Sequence, residues 1–88
     1  MKIKDGYVLR TIADEHIAIA VGERAVEFSG MIALNETTAN IWRFLQEDRK
    51  FEETLSHMLS LYDIDEETAG SDLKKLLAYL EANGVLTQ

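Results

Sequence analysis

The sequence predicts an α+β domain in which a three-stranded antiparallel β-sheet is followed by three α-helices. Two observations predict this order. Between residues 7 and 34 the apolar side chains alternate with a period of about two, which is typical of strands, whereas after residue 35 they recur every three or four residues, which is typical of helices. The 88 residues are 47% hydrophobic and 28% charged, a balance typical of a folded globular protein. We therefore expect one small domain that spans residues 1–88.

Three short segments carry the strand pattern. Residues 7–12 are rich in β-branched and aromatic side chains, and residues 16–21 alternate large apolar residues with alanine or histidine. The turn-forming residues 13–15 lie between them, which predicts a β-hairpin. A third strand is expected at residues 30–34, after a looser stretch at residues 24–29. Three short strands cannot bury both faces of their sheet unless helices cover them.

Two helices are predicted after the third strand. Asn35 marks the change of period, because its side chain is suited to cap the first turn of a helix. We expect this helix to end near residues 46–48. Its apolar residues fall on one stripe, so Trp42 is expected to anchor the core. A second helix is expected over residues 51–62, with acidic side chains in its first turn, where the helix dipole favours them.

The third helix is the longest of the three. Asp65 is expected to cap its start, and the Asn-Gly pair at residues 83–84 is a typical end signal. Residues 85–86 then return to an extended conformation. The stripe that is expected to enter the core consists of Ala69, Leu73, Leu76 and Leu80, with Leu77 beside it.

Charge is distributed unevenly along the chain. The formal net charge is −7, and residues 1–44 hold five basic and six acidic side chains, whereas residues 45–88 hold four and ten. Because polyanions bind basic surfaces, the acidic second half argues against DNA, RNA or an anionic membrane as the main ligand. The sequence has no cysteine, no apolar run of about 20 residues and no signal peptide at its start, which predicts a cytoplasmic protein.

Residues that could support catalysis are few and scattered. His16 and His57 are the two histidines, and one lies on a predicted strand and the other on a predicted helix. Acidic pairs stand at helix starts, where the dipole explains them, and the five glycines are isolated, so they form no phosphate-binding loop. We therefore expect no enzyme activity, no cofactor and no metal site.

A helix pair beside a small sheet is the winged helix-turn-helix arrangement, in which the second helix commonly reads DNA. Residues 66–75, which begin that helix here, hold three acids and two lysines. Fold analogy alone predicts a winged-helix DNA-binding transcription factor, whereas the charge argues against it. This function stays the alternative.

One run of residues is more distinctive than the periodicity around it. It reads Leu34-Asn35-Glu36-Thr37 and leads into Ile41-Trp42; further on come Tyr62-Asp63-Ile64-Asp65 and Gly84-Val85-Leu86. With these motifs the chain resembles the PqqD-like family from end to end. Thr38 is a departure, because a glycine is common there.

The resemblance implies a function. PqqD-like proteins are RiPP recognition elements, where RiPP denotes a ribosomally synthesised and post-translationally modified peptide. Such proteins bind the leader segment of a precursor peptide and present it to a maturation enzyme, such as a radical SAM protein, a peptidase or another modifying enzyme. The resemblance leaves open which peptide and which enzyme this chain serves.

The third strand is expected to be a sheet edge, and short peptides bind such edges by adding a strand. The resemblance places the peptide between this strand and the third helix. A helical wheel leaves two flanks of that helix open, and we favour the flank of Asp72, because the family commonly has an acid there. The candidate peptide-binding residues are Met31, Ile32, Ala33, Leu34, Asp72, Lys75, Leu76 and Tyr79.

Overall fold

A computed structural model describes residues 1–22 and 31–87. The predicted fold class is confirmed, since a three-stranded antiparallel sheet precedes three helices. The predicted looser stretch at residues 24–29, and residue 30 of the third strand, lie outside the described residues. The elements are β1 (Lys2–Ile3), β2 (Tyr7–Ile12), β3 (Glu15–Ala20), β4 (Met31–Leu34), α1 (Glu36–Phe44), α2 (Phe51–Leu61), α3 (Glu66–Ala82) and β5 (Leu86–Thr87).

The main sheet has the strand order β2-β3-β4, and both pairings are antiparallel. A two-residue turn joins β2 to β3, and both of its residues, Ala13 and Asp14, have positive φ angles of 51° and 67°. This left-handed backbone suits the twist of a tight hairpin. The predicted three-residue turn was therefore one residue too long, because Glu15 already pairs with Ile12.

The two faces of the sheet differ in burial. Along β4, Ile32 and Leu34 are buried, whereas Met31 and Ala33 are exposed. Ala18 on β3 lies opposite Ile32 and is fully buried. Because successive strand residues point to opposite faces, one face of the sheet packs on the helices and enters the core.

A second, two-stranded sheet was only half predicted. β5 corresponds to the extended segment expected near residues 85–86, and it pairs with β1, for which the sequence carries no strand signal. Ile3 connects this small sheet to the C-terminal end of α1, since its backbone N–H donates to the carbonyl of the C-cap residue Leu45 at 2.8 Å. Both ends of the described chain therefore pack together on the core.

The helix starts agree with the sequence prediction. Asn35 caps α1 by accepting a hydrogen bond from the Thr38 backbone N–H at 2.8 Å, and Asp65 caps α3 by accepting from the Thr68 N–H at 2.7 Å. The ends differ slightly. The first helix ends at Phe44 rather than near residues 46–48, and α2 ends one residue before the predicted position.

The core forms where the helices meet the sheet. Trp42 is 1% exposed, which confirms it as a core residue, and the ring of Tyr7 meets it edge-on with centroids 6.3 Å apart. Leu73 and Leu80 are fully buried. The predicted stripe of α3 is therefore confirmed as the face that packs on the rest of the molecule, and Leu77 beside it is half-buried.

The Asp65 cap makes helix stability depend on pH. The hydrogen bond from the Thr68 backbone N–H holds the pKa of the Asp65 carboxyl below its ordinary value. A group whose pKa is lower in the folded state stabilises the protein above its unfolded pKa, about 3.9 for Asp, and this contribution is lost as the pH falls through the folded pKa. Asp65→Asn keeps the acceptor but cannot titrate. We expect the variant to lose less stability than the wild type below about pH 4.

Urea unfolding at closely spaced pH values checks this expectation. The two stability curves should converge as the pH falls and the wild-type carboxylate is protonated. Curves that stay parallel down to pH 2 would contradict it.

Candidate functional site

A groove of about 440 Å³ runs between β4 and α3. One wall is the strand, the other is the helix, and the start of α1 closes one end. Its lining residues are Ala33, Asn35, Thr37, Thr38, Asp72, Lys75, Leu76 and Tyr79.

The strand wall offers backbone groups. The hydroxyl of Tyr79 donates a hydrogen bond to the Ala33 carbonyl oxygen at 2.9 Å, so this carbonyl points away from β3 and toward α3. A strand residue directs its N–H and C=O to the same side, and alternate residues point to opposite sides. The backbones of Met31 and Ala33 therefore face outward, while those of Ile32 and Leu34 face β3.

This edge is open along the part of the chain that the structure describes. Within residues 1–22 and 31–87, β4 pairs with β3 on one side and with no strand on the other. The outward N–H and C=O groups of Met31 and the N–H of Ala33 can therefore receive an additional strand.

The helix wall is set by the core. Ala69, Leu73 and Leu80 are fully buried, and this stripe fixes the rotation of α3 about its own axis. The next flank around the helix then faces β4, and it carries Asp72 and Tyr79. Leu76 is 8% exposed and lies between the stripe and the groove, so it forms part of the groove floor while it packs on the core.

The rim of the groove is charged and polar. Asp72 and Lys75 stand three residues apart on α3, which places them on one side of the helix. Among the described residues, neither forms a salt bridge. Both charges are therefore available to a molecule that enters the groove.

The closed end of the groove comes from the strand-to-helix junction. Asn35 follows β4 directly and caps α1, which brings Thr37 and the largely buried Thr38 to the groove as well. Sequence reasoning did not include these three residues. The N-cap signal at Asn35 could have located them, because a helix that starts one residue after an edge strand must turn its first residues toward the end of that edge.

The eight predicted binding residues divide into three groups. Five of them line the groove together, and Met31 lies on the same strand with its side chain 67% exposed but outside the groove lining. Ile32 and Leu34 direct their side chains into the core. The five that the structure brings together are Ala33, Asp72, Lys75, Leu76 and Tyr79.

The two histidines have other contacts. The ring nitrogen Nδ1 of His16 is hydrogen-bonded across the hairpin to the Thr11 hydroxyl at 2.8 Å. His57 stacks on the ring of Phe44 with centroids 4.0 Å apart.

Metal and membrane sites were sought over residues 1–22 and 31–87. Within these residues, no three His, Cys, Asp or Glu side chains are grouped so that they could hold a metal ion. Over the same residues, no helix combines the length and the apolar composition that a membrane span requires.

The fold and the groove define a class of protein: a small winged-helix-like α+β domain with an open sheet edge beside an amphipathic helix. Comparison with protein families gives the particular family. A model described as "Coenzyme PQQ synthesis protein D (PqqD)" matches residues 10–86. The chain therefore belongs to the PqqD family, which confirms the resemblance to PqqD-like RiPP recognition elements.

A solved structure agrees with this family. The structure titled "TbiB1 in Complex with the TbiA(beta) Leader Peptide" is similar to this chain at 27% sequence identity with a TM-score of 0.76. The match covers 98% of this chain and 94% of that chain. A search of curated proteins gave no match.

The role of Asn35 as the N-cap of α1 can be tested by substitution. Asn35→Ala removes the acceptor for the Thr38 N–H, and we expect it to lower the free energy of unfolding by about 1 kcal/mol. Asn35→Asp retains an acceptor and should stay close to the wild type. Urea unfolding checks both variants, and equal losses in the two would show that the cap contributes nothing to stability.

Proposed function

We propose that this chain is a peptide-binding chaperone that binds the leader segment of a ribosomally synthesised precursor peptide and presents it to the enzyme that modifies it. The observation that carries this proposal is the groove, in which backbone groups of β4 and charges of α3 have no partner among residues 1–22 and 31–87. Membership of the PqqD family supports it, as does the structural relative whose title names a leader peptide.

Strand addition is the binding mode that this groove favours. An extended peptide would pair with Met31 and Ala33, and backbone hydrogen bonds of this kind supply affinity without regard to sequence. Its alternate side chains would point toward α3, where Leu76 and the ring of Tyr79 suit an apolar residue. A basic residue two positions along the peptide would point to the same side and meet Asp72.

The acidic character of α3 favours a peptide over DNA. Its first seven residues include Glu66, Glu67 and Asp72, and a helix that reads DNA must lie against phosphates, which repel carboxylates. We therefore propose no nucleic-acid or membrane partner. The second partner in our proposal is a maturation enzyme, such as a radical SAM protein, a peptidase or another RiPP-modifying enzyme.

In our proposal, the protein is not itself an enzyme. We infer a non-catalytic adaptor that works in the cytoplasm as one domain over residues 1–88, without cofactor or metal. The chemistry belongs to the maturation enzyme, and the adaptor raises the local concentration of the precursor beside it.

Paired titrations test the function. Synthetic leaders of precursor peptides encoded beside this gene are titrated calorimetrically, with the TbiA(beta) leader as a non-cognate peptide and a 20-base-pair duplex at low salt as the DNA arm. We expect a submicromolar Kd for one neighbouring leader and no DNA binding. Tight DNA binding without peptide binding would overturn the proposal.

A proline scan of the edge tests strand addition. Ala33→Pro removes an N–H that faces the groove while leaving the ladder to β3 intact, so the fold should persist. Loss of one backbone hydrogen bond corresponds to about a two- to tenfold weaker Kd for the leader. Fluorescence anisotropy with a labelled leader measures the affinity.

Two other prolines serve as controls. Thr11→Pro removes an outward N–H from β2, the opposite edge strand, and should leave leader affinity unchanged. Ile32→Pro removes an N–H that faces β3 and should destabilise the sheet. Strand addition along β4 is wrong if the Ala33 and Thr11 variants are both folded and bind the leader equally well.

The charge of Asp72 provides a separate test. Long-range attraction changes the association rate, whereas a contact in the complex changes the dissociation rate. Because Asp72 lines the groove, we expect Asp72→Asn to raise the dissociation rate of a basic leader by about two- to fivefold. Glu67→Gln removes the same charge from α3 outside the groove lining and should affect only the association rate.

Stopped-flow fluorescence at low and high salt separates the two rates. The effect on association should fade with salt, since the Debye length is about 8 Å at physiological ionic strength. Dissociation rates that are the same in the wild type and both variants would remove Asp72 from the contact surface.

A further inference from the structure

The hydroxyl of Tyr79 joins the two walls of the groove. It extends from α3 and donates to the backbone carbonyl of Ala33 on β4, with an oxygen–oxygen distance of 2.9 Å. The side chain is at the surface, and the residue is 43% exposed. Water can therefore replace the carbonyl as the hydrogen-bond partner of the phenol.

The Ala33 carbonyl is also an acceptor that an added strand needs. In the described part of β4, the outward-facing carbonyls are those of Met31 and Ala33. A peptide residue paired with Ala33 in antiparallel register donates its N–H to this oxygen, and a parallel strand donates to it as well. In the free protein the phenol hydroxyl of Tyr79 therefore occupies one of the two outward-facing carbonyls in the described part of β4.

We propose that Tyr79 is the residue that controls entry to the groove, as a displaceable cap on the Ala33 carbonyl. This inference rests on the proposed function and deepens it. The free protein holds the groove in a capped state, and the leader binds after the hydroxyl has left the carbonyl. Only a segment that is extended and has a free backbone N–H opposite Ala33 replaces the lost bond, so the cap selects strand-forming leaders over other peptides.

A capped ground state has a kinetic signature. The apparent Kd of a protein that binds only from a minor state equals the intrinsic Kd divided by the fraction of molecules in that competent state, so a smaller fraction gives weaker binding. Removing the cap increases that fraction, so it increases the association rate and leaves the dissociation rate unchanged. A hydroxyl that instead contacts the bound peptide would act on the dissociation rate.

Tyr79→Phe is the direct test, because it removes the hydroxyl and keeps the ring that forms the groove wall. With the fluorescein-labelled synthetic leader that binds the wild type, we expect the association rate to rise by about two- to tenfold, the range that one hydrogen bond of this kind supports. Dissociation should stay the same. Stopped-flow anisotropy measures both rates.

Tyr62→Phe is the matched control. The Tyr62 hydroxyl accepts a hydrogen bond from the Asn40 side-chain amide at 2.8 Å, and Tyr62 lies outside the groove lining. This variant loses a phenol hydroxyl of the same kind, so its rates with the leader should equal those of the wild type.

A spectroscopic measurement reports the cap itself. In the free protein, the carbonyl ¹³C resonance of Ala33 should differ between the wild type and Tyr79→Phe. When the leader saturates both proteins, the two resonances should coincide, because the peptide N–H then occupies the acceptor in each.

The outcomes separate this inference from the proposed function. If the wild type binds no leader, the proposed function fails. If the wild type binds and Tyr79→Phe shows the same rates, the carbonyl accepts both partners at once and the cap is wrong. If Tyr79→Phe dissociates faster, the hydroxyl contacts the bound peptide, and this also overturns the cap while leaving peptide binding intact.

Discussion

The buried stripe of α3 is the constraint on which the functional side of this protein depends. Burial of a leucine side chain contributes about 1.5–3 kcal/mol, and Leu73 and Leu80 are both fully buried. A hydrogen bond at the groove contributes about 0.5–1.5 kcal/mol. The core therefore decides how α3 is rotated, and Asp72 and Tyr79 face β4 as a consequence of that choice.

The contacts at the two ends of α3 hold the helix in this orientation. Asp65 caps its start, and Gly84, with a φ of 72°, turns the chain back at its end so that the Val85 N–H donates to the Leu80 carbonyl at 3.2 Å. Val85 is fully buried, and β5 follows it into the pairing with β1. The helix wall of the groove is thus held by local signals at the two ends of α3.

Much of this fold could be predicted from the sequence because its signals are local. Periodicity located the stripe of α3, and side-chain chemistry located the caps at Asn35 and Asp65. The pairing of β1 with β5 could not be predicted, since two-residue strands show no period and their partners lie at opposite ends of the chain. The turn at Ala13 and Asp14 was placed one residue too long, because several residue types accommodate more than one turn length.

The candidate site, like the fold, could be predicted from the sequence only in part. A helical wheel identifies the flanks of α3 but not which of them faces a neighbour, and the choice of the Asp72 flank came from family resemblance rather than from the residues. Alternation along β4 predicts that Ile32 and Ala33 differ in role, yet the side of the strand on which the backbone is free depends on the pairing with β3. The groove residues Thr37 and Thr38 were missed because they belong to a helix whose first turn reaches the site only in three dimensions.

The peptide binding that we propose for the open edge of β4 creates a physical conflict. Free N–H and C=O groups that can pair with a leader can also pair with the edge of any other strand, and such pairing is how sheets aggregate. A short strand limits this risk, and β4 has four residues in the part of the chain that the structure describes. The Tyr79 hydroxyl limits it further by occupying the Ala33 carbonyl. A permanent block, such as a proline, would protect the edge and abolish binding, whereas a single exposed hydrogen bond is weak enough for an extended peptide to replace. The same contact therefore keeps the edge protected and usable.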